Sequence, residues 1–266
     1  VNYRSLLCAS AFLLVSFGVM GSAAAQMPVD LLVGIKGGVA GTATSEVPKL
    51  SNRQQIQYAQ PTDDSGFYPG FGIGPGVGLS LEARILGVLG LESGVYYMGD
   101  NLTGWQDKSV NSIPRGRVTM EHQVSALHVP VLLKAVAPSA GLKPFLGLGL
   151  EFVFQQSSSL EYRTERENSN DPTIDQYGPL FSERNRVSTA SYMMLQLTTG
   201  VEIDLGVVRV PVELRAGYNL GWDDSFDARV KVESGGSTGH TFTSNGENMA
   251  HFGIFTGVVY DYDFLL

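Results

Sequence analysis

Between residues 71 and 85 the chain alternates without a break. Phe71, Ile73, Pro75, Val77, Leu79, Leu81, Ala83 and Ile85 hold the odd positions, and Gly72, Gly74, Gly76, Gly78, Ser80, Glu82 and Arg84 the even ones. Successive side chains of a strand point to opposite faces, so a strand here has one oily face and one small or charged face. The division recurs where Leu195, Leu197, Thr199, Val201 and Ile203 alternate with Gln196, Thr198, Gly200, Glu202 and Asp204. It recurs again where Val208, Val210, Val212, Leu214 and Ala216 alternate with Arg209, Pro211, Glu213, Arg215 and Gly217. Weaker alternation at about 29–41, 89–99, 118–135, 144–155 and 250–266 brings the predicted strands to eight.

The connections alternate as well: long and polar at about 42–70, 100–117, 156–190 and 223–249, short at 86–88, 136–143 and 205–207. Long, short, long, short describes an up-and-down meander. Transmembrane barrels have this asymmetry, together with an even strand number and strands of ~9–11 residues across the lipid. A soluble barrel or sandwich also alternates, but it turns its apolar face inward and clothes the outside in Lys, Glu and Thr. Here glycine, 32 residues in all, dominates the non-apolar face. That face suits a lumen and leaves the apolar face to lipid. The expected fold is all-β: a single eight-stranded antiparallel up-and-down transmembrane β-barrel over residues 26–266, with both termini on the periplasmic side.

The first residues read as a secretory signal. One basic residue, Arg4, precedes an apolar run from Leu6 to Met20 and the small-residue stretch Gly21-Ser22-Ala23-Ala24-Ala25-Gln26. The expected unit is a cleavable signal at 1–25, cut after Ala25. The run is shorter than the ~20 apolar residues of a spanning helix, and the segment from Val129 to Ala137 is short and broken by Lys134. Cys8, the one cysteine, lies before the run, so the mature chain is expected to hold no disulfide and no thiolate metal site. With 18 basic against 26 acidic residues and no basic block, a nucleic-acid partner is not expected.

Aromatic residues gather at the ends of the apolar faces. Phe71, Tyr97, Phe152, Phe154, Tyr218, Trp222 and Phe252 lie toward the long loops, and Tyr260, Tyr262 and Phe264 toward the opposite end. They are expected to form two interfacial girdles facing lipid.

Leu127-His128-Val129-Pro130-Val131-Leu132-Leu133-Lys134, followed by Leu142-Lys143-Pro144-Phe145-Leu146-Gly147-Leu148-Gly149, resembles the PorT-like group of porin-family outer-membrane barrels. That group shows an aromatic-Leu-Glu-Ile-Pro-Leu-Leu-Leu-Lys strand and then a glycine-rich Lys-Pro-Tyr strand. His128 departs from the group's Glu, and the end Phe264-Leu265-Leu266 departs from a terminal aromatic residue. The resemblance implies a small outer-membrane barrel and implies no activity.

Lumen parity collects Lys36, Glu82, Arg84, Glu92, His128, Lys134, Glu151, Glu202, Asp204, Arg209, Glu213, Arg215, Asp261 and Asp263. An eight-stranded barrel is about wide enough for side chains to fill, so these charges are expected either to pair and close the bore or to line a narrow path for ions and small solutes. His122, His128, His240 and His251 lack ligand spacing, and no metal or cofactor is expected. His240 and Ser244 resemble in part the His-x-Ser-Asn element of outer-membrane lipid A deacylases, but four residues of extended chain separate them by ~13 Å, too far for a base and its nucleophile.

The expected function is a structural or porin-like outer-membrane barrel without catalysis. The alternatives are a closed scaffold presenting its long loops to an unidentified partner or surface and, remotely, a lipid-modifying enzyme. Its expected partners are outer-membrane lipid and lipopolysaccharide, and the barrel-assembly machinery during biogenesis. Parity also predicts that Leu133→Arg impairs folding into lipid while Lys134→Arg is nearly silent.

Overall fold

A computed structural model describes residues 28–43, 71–110, 113–166, 185–186, 191–220, 227–228, 242–243 and 250–265. The predicted signal segment, Trp222, His240, Ser244 and most of the long connections lie outside the described residues. Eight strands close a ring: β1 (Pro28–Ala43), β2 (Phe71–Ile85), β3 (Leu89–Val110), β4 (Ile113–Val136), β5 (Leu142–Arg166), β6 (Ser191–Asp204), β7 (Val208–Asn219) and β8 (Ala250–Leu265). Each pairs antiparallel with its chain neighbours, and β1 pairs with β8, so the barrel has no edge within this ring. Every backbone group of a strand crossing lipid must find its partner within the protein, and closure supplies those partners.

The alternation of β2 becomes an alternation of exposure along its whole length. Leu79 is 62% exposed and Leu133 71%, whereas Arg84 and His128 are wholly buried. An exposed apolar belt around a bore of buried charge inverts the soluble arrangement, and lipid is the surrounding that stabilises it.

Glycine lines the bore because the wall bends tightly. A Cβ on Gly38 would collide with the Ile254 carbonyl, and one on Gly149 with the Val131 carbonyl, each on an adjacent strand.

Two short turns show how local chemistry sets register. Val88 N donates to Ile85 O at 3.1 Å across Leu86 and Gly87, both with positive φ (55° and 66°). This is the two-residue turn whose twist suits a hairpin, and it favours Asn or Gly at its first position. Leu86 is strained there, so Leu86→Asn is expected to stabilise the barrel by about 1 kcal/mol in a denaturant titration. In the β6–β7 turn, Gly206 takes φ 90° and its N–H donates to Asp204 Oδ1 at 2.9 Å.

Prolines interrupt the ladder, and lipid-side hydroxyls repair it. The β3–β4 pairing skips from Ser93↔Val131 to Tyr96↔His128 around Pro130, and Ser93 Oγ donates to the Pro130 carbonyl at 2.9 Å. The β7–β8 pairing skips from Thr256↔Val212 to Val259↔Arg209 around Pro211, and Thr256 Oγ1 donates to the Pro211 carbonyl at 2.9 Å. Proline has no N–H to give the ladder, so the freed carbonyls take a side-chain donor instead.

The connection expected as a polar loop at 100–117 is largely strand. The β3–β4 ladder runs out to Val110↔Ile113, and β5 continues beside it to Arg166. The backbone explains the difference: the register continues through Trp105↔Thr119, Asp107↔Arg117 and Arg117↔Glu165, and a ladder whose hydrogen bonds run from strand to strand holds in water as well as in lipid. These strands hold 22, 24 and 25 residues, against the ~9–11 that cross a bilayer, so they project well beyond it. A bulge at Gln156, where the partner register shifts between Ser125 and Ala126, marks the change from belt to projection on β5.

Candidate functional site in the barrel lumen

The bore is built in layers. Nearest the short turns, Arg84 on β2 reaches across to Glu202 on β6 with both terminal nitrogens, at 2.9 and 2.8 Å, and its Nε donates to Glu82 at 2.7 Å. Lys134 on β4 donates to Glu202 at 2.7 Å, Glu82 at 2.9 Å and Glu92 at 3.2 Å. Arg209 pairs with Asp261 and lies 3.8 Å from both Asp30 and Glu202.

In the next layer Lys36 on β1 bonds Glu92 on β3 and, at 2.8 Å, Glu213 on β7. Arg215 bonds Glu213 and donates to the Tyr96 hydroxyl at 3.0 Å. Its guanidinium lies 4.4 Å from the Tyr96 ring centre and 4.6 Å from that of Phe255, both within cation–π reach. Above them His128 Nδ1 meets Glu151 Oε1 at 2.6 Å, and Thr42 Oγ1 meets His251 Nε2 at 2.7 Å. Ala40, Met98, Phe255 and Met194 are among the apolar residues buried in the upper bore.

Among the described residues, five cations (Lys36, Arg84, Lys134, Arg209, Arg215) and five glutamates (Glu82, Glu92, Glu151, Glu202, Glu213) are fully buried, so their charges cancel. Desolvating ten charges is costly, and mutual pairing across the bore is what offsets it. Among the described residues, two gaps between these side chains are each about 10 Å³, room for roughly one water apiece. The lower touches Lys36, Glu82 and Lys134; the upper touches Glu151, Arg215 and His251.

Asp204 stands apart from this assembly, at the short-turn rim, where Lys143 holds it at 2.5 Å. Asp263 lies opposite Asp30 in the β1–β8 register, and its side chain is outside the described residues. Among the described residues no group of three or more His, Cys, Asp and Glu side chains is disposed to hold a metal ion. Parity could have found His251 and Tyr96, since each shares its row with named lumen residues. The apolar lumen residues Leu32, Leu132, Val153 and Met194 carried no signal, because an oily residue on a polar row looks like noise.

On the outside, Phe71, Tyr97, Phe152, Tyr218, Phe252, Tyr260 and Tyr262 are exposed, and Phe154 is half-buried. Phe71 and Phe252 stack at 5.4 Å near the long-loop ends of β2 and β8, while Tyr260 and Tyr262 meet at 4.4 Å toward the other end. Phe264 has its backbone in β8, and its side chain is outside the described residues.

No family model matches the chain, and no curated protein matches it. The PorT-like resemblance has no family match beside it, and what the structure shows of it is the closed eight-stranded antiparallel barrel. Among solved structures the chain is similar to the outer membrane protein OprG from Pseudomonas aeruginosa, at 14% identity and a TM-score of 0.44, covering 89% of this chain and 97% of that one. It is also similar to Neisserial surface protein A, at 13% identity and a TM-score of 0.35, covering 91% and 100%. A third is Ail of Yersinia pestis, at 7% identity and a TM-score of 0.32, covering 90% and 100%. At these values no function transfers from any of them.

Proposed function

We propose that the chain is a closed barrel of a bacterial outer membrane, non-enzymatic, whose role is structural and lies in what its long-loop end presents rather than in passage through its bore. The observation that carries this reading is the bore itself. Ten cancelling charges are packed so closely that the gaps left are about 10 Å³ each. A hydrated ion needs a continuous wet path, and a plug of paired charge denies it one. The projecting parts of β3, β4 and β5 form a stiff platform on which connecting segments would meet a partner or surface. The same reading places lipid and lipopolysaccharide around the belt, the termini and short turns in the periplasm, and the assembly machinery as a partner in biogenesis.

The experiment is ion conductance of residues 26–266 refolded into a planar bilayer, with insertion verified by heat-dependent gel mobility. The expected outcome at neutral pH is insertion without conductance steps. Reproducible steps altered by Arg84→Ala or Arg215→Ala would replace this reading with a porin-like one.

A further inference from the structure

The two ends of the barrel differ in chemistry. The long connections are polar, but the short turns Leu86-Gly87-Val88, Ala137-Pro138-Ser139-Ala140-Gly141 and Leu205-Gly206-Val207 hold no charged residue, and Ser139 is their one polar side chain. Leu205 and Val207, with Leu89 and Leu142 where β3 and β5 begin, are each more than half exposed. A turn standing in water ordinarily carries Asn, Asp or Ser beside its glycines and prolines. Exposed apolar residues massed at one end mark a surface that something covers.

The backbone of these turns points the same way. Val88 N donates to Ile85 O at 3.1 Å, and Ser139 N to Ala137 O, Leu142 N to Ala140 O and Leu205 N to Val208 O at 2.9 Å each. Neighbouring turns are tied to one another: Val136 N donates to Val88 O at 2.8 Å, Asp204 N to Gly141 O at 2.7 Å, and Asp261 N on β8 to Val207 O at 3.0 Å. Asp204 also accepts from Gly206 N and is held by Lys143. These donors find their partners inside the protein, as backbone surrounded by lipid must and backbone in water need not.

The turns also adjoin the belt. Its outer rows reach them as Leu91 then Leu89 on β3, and as Leu146, Pro144 then Leu142 on β5. Tyr260, opposite Val208, and its neighbour Tyr262 stand beside the Leu205–Val207 turn, and tyrosine settles where lipid meets water.

We propose that the short-turn end is a lipid-docking surface. Its turns sit within the membrane leaflet on that side, against the glycerol and upper acyl groups, instead of standing clear in water. Continuity with the belt, and a backbone that asks nothing of its surroundings, name lipid as the occupant rather than a protein. The inference rests on the lipid-belt reading and deepens it, carrying the membrane boundary past the ends of the strands. Docking at that depth fixes the height of the barrel, and with it how far β3, β4 and β5 project from the opposite surface.

The test is collision of a spin label with two relaxing agents. In the full chain with Cys8 replaced by serine, Leu205→Cys and, as a belt reference, Leu79→Cys are each labelled with a nitroxide and refolded into phosphatidylcholine vesicles. Oxygen concentrates in lipid, whereas a nickel chelate, present on both sides of the membrane, stays in water. Both labels are expected to collide with oxygen far more than with the chelate. If Leu205→Cys does not refold, Val207→Cys takes its place. Chelate collisions dominating at the turn while oxygen dominates on Leu79→Cys overturn the proposal, because the turn then stands in water, open to a protein partner. Chelate collisions dominating on Leu79→Cys as well defeat the belt reading beneath it, so the two failures are distinguishable.

Discussion

Replacing Lys134 by Met is expected to cost the barrel about 3–5 kcal/mol, the largest loss of any single lumen substitution. The lysine is 3% exposed and lies within 3.2 Å of three carboxylates, those of Glu82, Glu92 and Glu202. Removing it leaves three anions converging on an apolar side chain in a space that water enters only singly. Arg84 still serves Glu82 and Glu202, and Lys36 still serves Glu92, which keeps the loss finite. The geometry also revises the expectation that Lys134→Arg is nearly silent. The ammonium sits 4.2 Å from the centre of the Phe145 ring, beside a void of about 10 Å³, with no room for a guanidinium. Overpacking of this kind costs about 1–3 kcal/mol. Urea titration of both variants in vesicles, read by gel mobility and tyrosine fluorescence, checks the order: Met well below Arg, and Arg below wild type. Indifference to the Met substitution would mean the network is not the plug described.

Leu133→Arg is expected to cost about 2–4 kcal/mol of folding into lipid. Leu133 is 71% exposed and stands in a row with Leu91 on β3 and Leu148 on β5, its register partners. In water a residue so exposed accepts arginine with little change, because the charge stays hydrated. In mid-bilayer the same charge loses its hydration. The prediction therefore discriminates by sign of environment: a marked loss in vesicles, measured as the shift of the unfolding midpoint, indicates lipid at that face. A neutral result would place Leu133 in water and break the belt.

Much of this architecture was written in local pattern. The alternation of 71–85 and 208–217 gave β2 and β7 their faces, and their charged rows are the rows that meet inside. Two kinds of information were not local. The partners of Lys134 lie on β2, β3 and β6, and Arg84 finds Glu202 118 residues away, so the pairing depends on ring closure and on the stagger of strands. The second is the change of surroundings along one strand. Beyond Gly99 and Ser125 the lipid-side rows of β3 and β4 turn polar, with Asn101, Thr103, Gln123 and Glu121, because the strands leave the membrane without ending. A rule that equates strand with an oily face stops at that point and reads the remainder as loop. The lumen's apolar members were hidden for a related reason: once closed, a bore rewards any side chain of the right volume, oily or charged, provided the polar ones are paired.

The most direct test of a lipid-belted, sealed barrel compares two neighbouring positions on β2. In a chain whose one cysteine, Cys8, is replaced by serine, Leu79→Cys and Ser80→Cys are made singly and refolded into vesicles. Leu79 is 62% exposed on the belt, and Ser80 is 5% exposed beside the lower void. The account predicts that a lipid-soluble thiol reagent labels the first and not the second, and that a small charged reagent labels neither until the barrel is unfolded. Rapid labelling of Ser80→Cys by the charged reagent in the folded barrel would contradict it, since that position would then face an open aqueous channel.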